Sequence, residues 1–232
     1  IPDSVKAITA DDLRAFVTQR LTRDTLVIGI VGHIMPAKLA ELLDATFGTL
    51  PAQGADWRLP NIRANTDGRT IVINKDVPQS AILFADQGLL RDDPDFYAAY
   101  VMNHVLGGGG FTSRLYGEVR EKRGLAYSIS SGLNPRRASA TTVGGAGTAN
   151  ARVHETLDVV KTEWQRMAEN GVTNDELKDA KTYLTGAYPL QFTGSTRIAR
   201  MLVGIQLAEL GIDYVKSRNA FINAVTHDDI AR

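Results

Sequence analysis

The chain has 232 residues, 44% hydrophobic and 22% charged, with 26 acidic and 26 basic side chains. That balance leaves no global field to draw nucleic acid or an anionic membrane. The rest of the composition is ordinary for a globular protein with a real core, in one large domain or two small ones. No cysteine is present, which excludes disulfides, thiol catalysis and cysteine-ligated zinc.

The longest apolar run, Leu26 to Val31, falls far short of the roughly 20 residues that a membrane span needs, so no spanning segment is expected. No signal peptide is visible, and a first residue of Ile rather than Met fits a processed or trimmed start.

Residues 9–21 read as a helix, capped by Thr9 with Asp12 three residues on, with Leu13, Phe16, Val17 and Leu21 on one face. Thr25–Val31 is a β-branched run that predicts a buried strand. Pro36 opens a second helix with a stripe of Leu39, Leu42, Leu43 and Phe47. Pro51–Gly68 loses all periodicity and reads as a linker.

Two strands are predicted next, Thr70–Asn74 and Ser80–Ala85, then a helix from about Pro94 that the glycines at 107–110 should end. Tyr127–Leu133 and Ser139–Ala149 read as strands. Val153, Leu157, Val160, Trp164 and Met167 mark an amphipathic helix closed by Asn170-Gly171. Thr173 and Glu176 form a capping box for another. Further helix is expected at 195–210 and 213–224. The order predicts an α+β chain, an antiparallel sheet covered by helices.

One echo stands out: "AITADDLR" at Ala7–Arg14 returns as "AVTHDDIAR" at Ala224–Arg232. A duplicated architecture would explain it.

The densest chemistry lies in "GGGGFTSRLYGEVREKRGLAY", Gly107 to Tyr127. A phosphate cradle does not fit. No Lys-Ser/Thr follows the glycines, and G-x-G-x-x-G would place Thr112 or Ser113 where the last glycine belongs. Nucleic acid does not fit either: Arg114, Arg120, Lys122, Arg123, Arg136 and Arg137 lack interleaved aromatics, and pairs along a solvated helix face account for most of them. For a metal, His33, His104, His154 and His227 are far apart, and Asp158 stands where His154 would need a second histidine.

Recognition of carbonyl or backbone groups is the remaining chemistry. Thr112 or Ser113 can cap a short helix with Leu115 and Val119 inward and Arg120 near its end, and Gly124 suits the left-handed stop. A strand carrying Tyr127 follows. Helix-then-strand geometry can bring Arg120 and Tyr127 to one surface, where a guanidinium fork and a phenol can hold a peptide or stabilise an oxyanion. Equally open at this point, Arg120 bridges to a local acid and Tyr127 packs in the core.

The segment "LGGGGFTSRLYGEVREKRGLAYSISSGL", Leu106 to Leu133, resembles the signature of the second half of the M16 zinc peptidases, the pitrilysin and mitochondrial-processing-peptidase group. "LVIGIVGHIMPAKLAELLDATFGTLP" (26–51) is similar to the strand, Gly-Asp/His element and helix that close that family's preceding domain. "PQSAILFADQGLLRDDPDFYAAYVMNHVLGGG" resembles the start of the next domain, and "GVTNDELKDAKTYLTGAYPL" its later helices.

The resemblance implies a LuxS/MPP-like metallohydrolase fold within a duplicated architecture, with residues 1–60 ending one domain and 67–232 forming most of the next. The family's catalytic half carries His-x-x-Glu-His and a distal Glu around zinc; nothing here matches it. The resemblance therefore implies a non-catalytic fragment or subunit that binds no cofactor itself, with zinc in a catalytic partner half. The family's Arg and Tyr, seven residues apart, align with Arg120 and Tyr127. The first would contact bound peptide, and the second would hydrogen-bond the scissile region from the wall facing the zinc. A proteolytically inactive scaffold, like the core subunits of a respiratory complex, is the alternative. Relatives are often periplasmic or secreted, and that compartment is the expectation here.

Overall fold

The computed structural model describes residues 2–56 and 59–232. Two compact units divide the chain: Ile1–Leu59 with Gln191–Gly211, and Pro60–Leu190 with Ile212–Arg232.

In the first unit, helices α1 (Pro2–Lys6), α2 (Ala10–Arg20) and α3 (Pro36–Phe47) precede α7 (Ser195–Leu207). Thr9 caps α2 as expected: its hydroxyl accepts from the Asp12 N–H, and the Asp12 carboxylate accepts from the Thr9 N–H at 2.8 Å. The apolar face of α2 is solvent-exposed throughout, at Leu13, Phe16, Val17 and Leu21.

The strand predicted at Thr25–Val31 does not form. Arg23–Thr25 is a 3-10 turn, and the residues after it join no ladder and are half-buried at best. β-Branched residues favour a pleated surface but do not supply one, and no strand pairs with this run among the described residues. It packs instead against α7, where a Cβ on Gly29 would come within 2.8 Å of a Val203 methyl.

The second unit holds a three-stranded antiparallel sheet in the order β1-β3-β2, with β1 Gln79–Gln87, β2 Ala126–Pro135 and β3 Ala140–Ala149. Along β1, Ser80, Ile82 and Phe84 turn inward, and Phe84 meets Trp164 edge-on at 5.5 Å. Helices α4 (Phe96–Asn103), α5 (Val153–Asn170), α6 (Asn174–Gly186), α8 (Tyr214–Ala224) and α9 (His227–Ala231) complete the unit. Val101, Leu106, Leu115, Val119 and Ile222 are fully buried at its centre. The predicted cap at Thr173/Glu176 forms a complete capping box, and so does Thr226/Asp229 in the echoed segment.

A second expected strand is absent. Thr70–Asn74 is no strand, and Ile71, Val72 and Ile73 are each about three-quarters exposed. The linker expected at Pro51–Gly68 carries neither helix nor ladder over its described part; Trp57 and Arg58 lie outside the described residues.

The glycines also do something other than end α4. Helical turns run on through His104–Gly108 in a widened, π-type form, and the Gly109 N–H reaches back five residues to the His104 carbonyl at 2.8 Å. Gly107 is buried against β2: a Cβ there would lie 2.8 Å from the Ser131 nitrogen and 2.9 Å from a Leu115 methyl. Close approach of helix to strand, rather than termination, is what requires glycine at that position.

Candidate functional site

The sequence from Ser113 to Tyr127 folds into a short helix and the first residues of β2. The Ser113 hydroxyl accepts from the Tyr116 N–H at 3.4 Å, and the Ser113 carbonyl accepts from the Gly117 N–H at 3.0 Å. The turns over Tyr116–Glu121 are again widened, with the Lys122 N–H donating to the Gly117 carbonyl at 3.0 Å. Widened turns of this kind are rare and concentrate at functional sites.

Leu115 and Val119 anchor the helix in the core. Gly124 stops it in the left-handed conformation, φ +58°, with its N–H on the Arg120 carbonyl at 2.9 Å. β2 then opens with an irregularity in its pairing to β3. Ala126 pairs with Thr148 and Ser128 with Gly147, which leaves Tyr127 as the bulged residue. A bulge re-aims its side chain away from the ladder, and Tyr127 is 80% exposed.

These features bring Arg120 and Tyr127 together. The Arg120 guanidinium carbon sits 4.7 Å from the Tyr127 ring centroid and 5.0 Å from that of Tyr116. Among the described residues, the Arg120 guanidinium has no hydrogen-bond acceptor and no acidic partner. The acid within reach along the helix is engaged elsewhere: Glu118 pairs with Lys122 and with Arg123, each at 2.5 Å. Hydrogen bonds from Lys122 and then Arg123 hold the Glu118 carboxyl below its usual range. Both structural alternatives left open by the sequence are therefore closed, since Arg120 bridges to no local acid and Tyr127 does not pack in the core.

Arg114 corrects a different expectation. It is no surface charge: its side chain is buried, and Nε and Nη2 make paired 2.6 Å bonds to the Glu176 carboxylate, 62 residues away. Nη2 also donates to the Gly171 carbonyl at 2.9 Å. Glu176 at the same time closes the α6 capping box, accepting from the Thr173 N–H at 2.8 Å. The hydrogen bonds from Arg114, ahead of those from Thr173, hold its carboxyl down at about 2.

The histidines do not assemble. His104 is half-buried and stacks on Tyr183 at 5.1 Å, and burial lowers its pKa. It borders a cavity of about 420 Å³ with Glu176, Asp179 and Thr182. His154 is almost fully exposed beside Asp158, and His227 contacts Asn174 at 2.9 Å. Among the described residues no three His, Cys, Asp or Glu side chains group as metal ligands. The residues present do not fit a zinc site. No helix among them is long and apolar enough to cross a membrane.

Comparison with known proteins places this fold in a class. The family model for the peptidase M16 inactive domain matches residues 7–184, and the chain belongs to that family. An uncharacterized zinc protease of Streptomyces coelicolor is 31% identical over 98% of the chain and 51% of its own length. A non-peptidase homolog from Helicobacter pylori is 29% identical over 82% of the chain and 44% of its own length.

Among solved structures, the peptidase M16 inactive domain from Pseudomonas fluorescens aligns with a TM-score of 0.85 at 27% identity, over 99% of this chain and 54% of that one. A chain of complex III2 from Candida albicans aligns with a TM-score of 0.73 at 15% identity, over 99% and 56%; at that identity only the fold is shared. The chain spans about half the length of the relatives it matches. It is an M16 inactive domain of the kind found in zinc-protease-like proteins, with a mixed fold of helices on a small antiparallel sheet.

Proposed function

We propose that this chain is the substrate-binding, non-catalytic portion of an M16 zinc metalloendopeptidase. It helps enclose an unfolded peptide and holds it for a partner half that carries His-x-x-Glu-His and the zinc. In this reading residues 1–60 end one domain of the duplicated architecture and 67–232 form most of the next.

One observation carries the reading: among the described residues Arg120 leaves its guanidinium donors unengaged, beside a phenol that a β-bulge turns to solvent. An arginine serving the fold would use those donors internally, as Arg114 does. Peptide carbonyls and carboxylates are the acceptors that a planar fork and a neighbouring hydroxyl suit. The catalytic step belongs to the partner half, and this chain's residues act by holding and orienting substrate.

The test is peptide cleavage by the protein assembled with its catalytic half. Arg120→Ala should lower kcat/KM by about tenfold or more, the range for a lost hydrogen bond to a charged group. Cleavage that continues at the wild-type rate removes the reading. The second reading, an inactive scaffold, draws on the non-peptidase homolog and on the fold shared with a complex III chain. It wins if the partner half lacks His-x-x-Glu-His.

A further inference from the structure

We infer that Tyr116 is a positioning residue for Arg120, the fixed wall of a two-ring slot that sets how the guanidinium faces a peptide. The inference rests on the proposed peptide-binding role of Arg120.

The two rings of the slot differ in kind. Tyr127 is mostly in solvent, whereas Tyr116 is buried at 8% exposure. Tyr116 lies four residues before Arg120 on the same helix, at a spacing that makes side chains neighbours. Its helix is pinned by the fully buried Leu115 and Val119 on either side. Its ring is braced edge-on by Phe111, at 4.8 Å and 82°. Tyr116 therefore has little freedom to move, and Tyr127 has much more.

Arg120 has no hydrogen bond to orient it among the described residues, so its contacts with these two rings are what restrain it. A free arginine side chain samples many rotamers, and each must be frozen out when a ligand binds. A guanidinium already held over a rigid ring loses less on binding. The negative ring face favours the cation, and a contact with the ring face consumes none of its hydrogen-bond donors.

The test uses the full-length protein with its catalytic half, labelled with nitrogen-15 at arginine. Two readouts are followed: the Arg120 Nε–Hε resonance, displaced by the ring currents of two flanking aromatics, and binding of fluorescein-labelled peptides from a tryptic digest of β-casein. Tyr116→Leu should move the resonance and weaken binding by about 2- to 30-fold, the span of a cation–π contact of ordinary strength. Tyr116→Phe should restore both. An unmoved resonance in Tyr116→Leu overturns the inference, and so does unchanged binding where Arg120→Ala weakens it.

Should Tyr116→Leu fail to fold, pentafluorophenylalanine at position 116 keeps the ring's shape while reversing its face charge. It must weaken binding as leucine would, and wild-type binding again overturns the inference. Unchanged binding in Arg120→Ala itself would strike the peptide-binding reading instead, while the resonance still reports on the slot.

Discussion

Arg91 and Arg120 both lie over aromatic rings in the same unit, and the two clusters use the guanidinium in opposite ways. Arg91 sits 4.1 Å from the Phe96 centroid, with the Tyr97 and Tyr214 rings at 5.1 and 5.4 Å. Its Nη2 donates to the Tyr97 hydroxyl at 3.0 Å and to the Tyr214 hydroxyl at 2.9 Å. That cluster ties the loop before α4 to α8 across 123 residues of sequence, and burial is the main reason the Tyr97 phenol is pushed up to about 12. Arg120 has ring contacts of similar length but no internal acceptor among the described residues. Ring contact alone therefore does not separate a structural arginine from one that serves a ligand; where the N–H donors go does.

The comparison breaks most visibly at its structural end. Arg114 spends Nε and Nη2 on the Glu176 carboxylate and the Gly171 carbonyl, so Glu176→Gln should cost about 3 kcal/mol of stability, the range for leaving a buried charge without its partner. A chemical denaturation midpoint measures it. Acid should act in the same direction. Glu176 is held at about 2 in the folded protein, below its ordinary value. Its stabilising contribution is then whole above the unfolded carboxyl's pKa of about 4.5 and is lost as pH falls from there toward about 2. Glu176→Gln should flatten that part of the stability–pH curve.

The next effect pits the two ring clusters against each other. Arg91→Ala removes two hydrogen bonds from a charged donor and should destabilise by about 2 kcal/mol. Arg120→Ala removes only ring contacts and should cost about 1 kcal/mol or less. Equal losses in thermal denaturation would erase the distinction between the clusters.

How much of this could be read from the sequence follows from how local each interaction is. The boxes at Thr9/Asp12 and Thr173/Glu176 are legible because cap and partner are three residues apart, and the echo at 224–232 carries a third, Thr226/Asp229, of the same spacing. The stop at Gly124 was legible for the same reason. The runs at 25–31 and 70–74 form no strand because a strand exists only with a paired neighbour, which residue propensity does not supply. Gly107 read as punctuation because the approach of Ser131 is invisible along the chain.

The candidate site was legible in part. Resemblance and helix-then-strand geometry point to Arg120 and Tyr127. What the sequence left open was the competition for Glu118, which Lys122 and Arg123 decide. Arg114 looked like one more surface charge because Glu176 lies 62 residues away.

The smallest effect gives the finest division of the site. Tyr127→Phe keeps the ring face over which Arg120 lies and removes only an exposed hydroxyl. Stability should stay within about 0.5 kcal/mol of wild type, because the hydroxyl has no partner among the described residues to lose. Peptide binding by the assembled protein should weaken by about 1 kcal/mol, near fivefold in Kd, if the phenol donates a hydrogen bond to substrate. Wild-type binding in Tyr127→Phe, together with a loss in Tyr127→Leu, would assign Tyr127 to the slot alone. The guanidinium would then be the group that touches peptide, and both tyrosines would act through it.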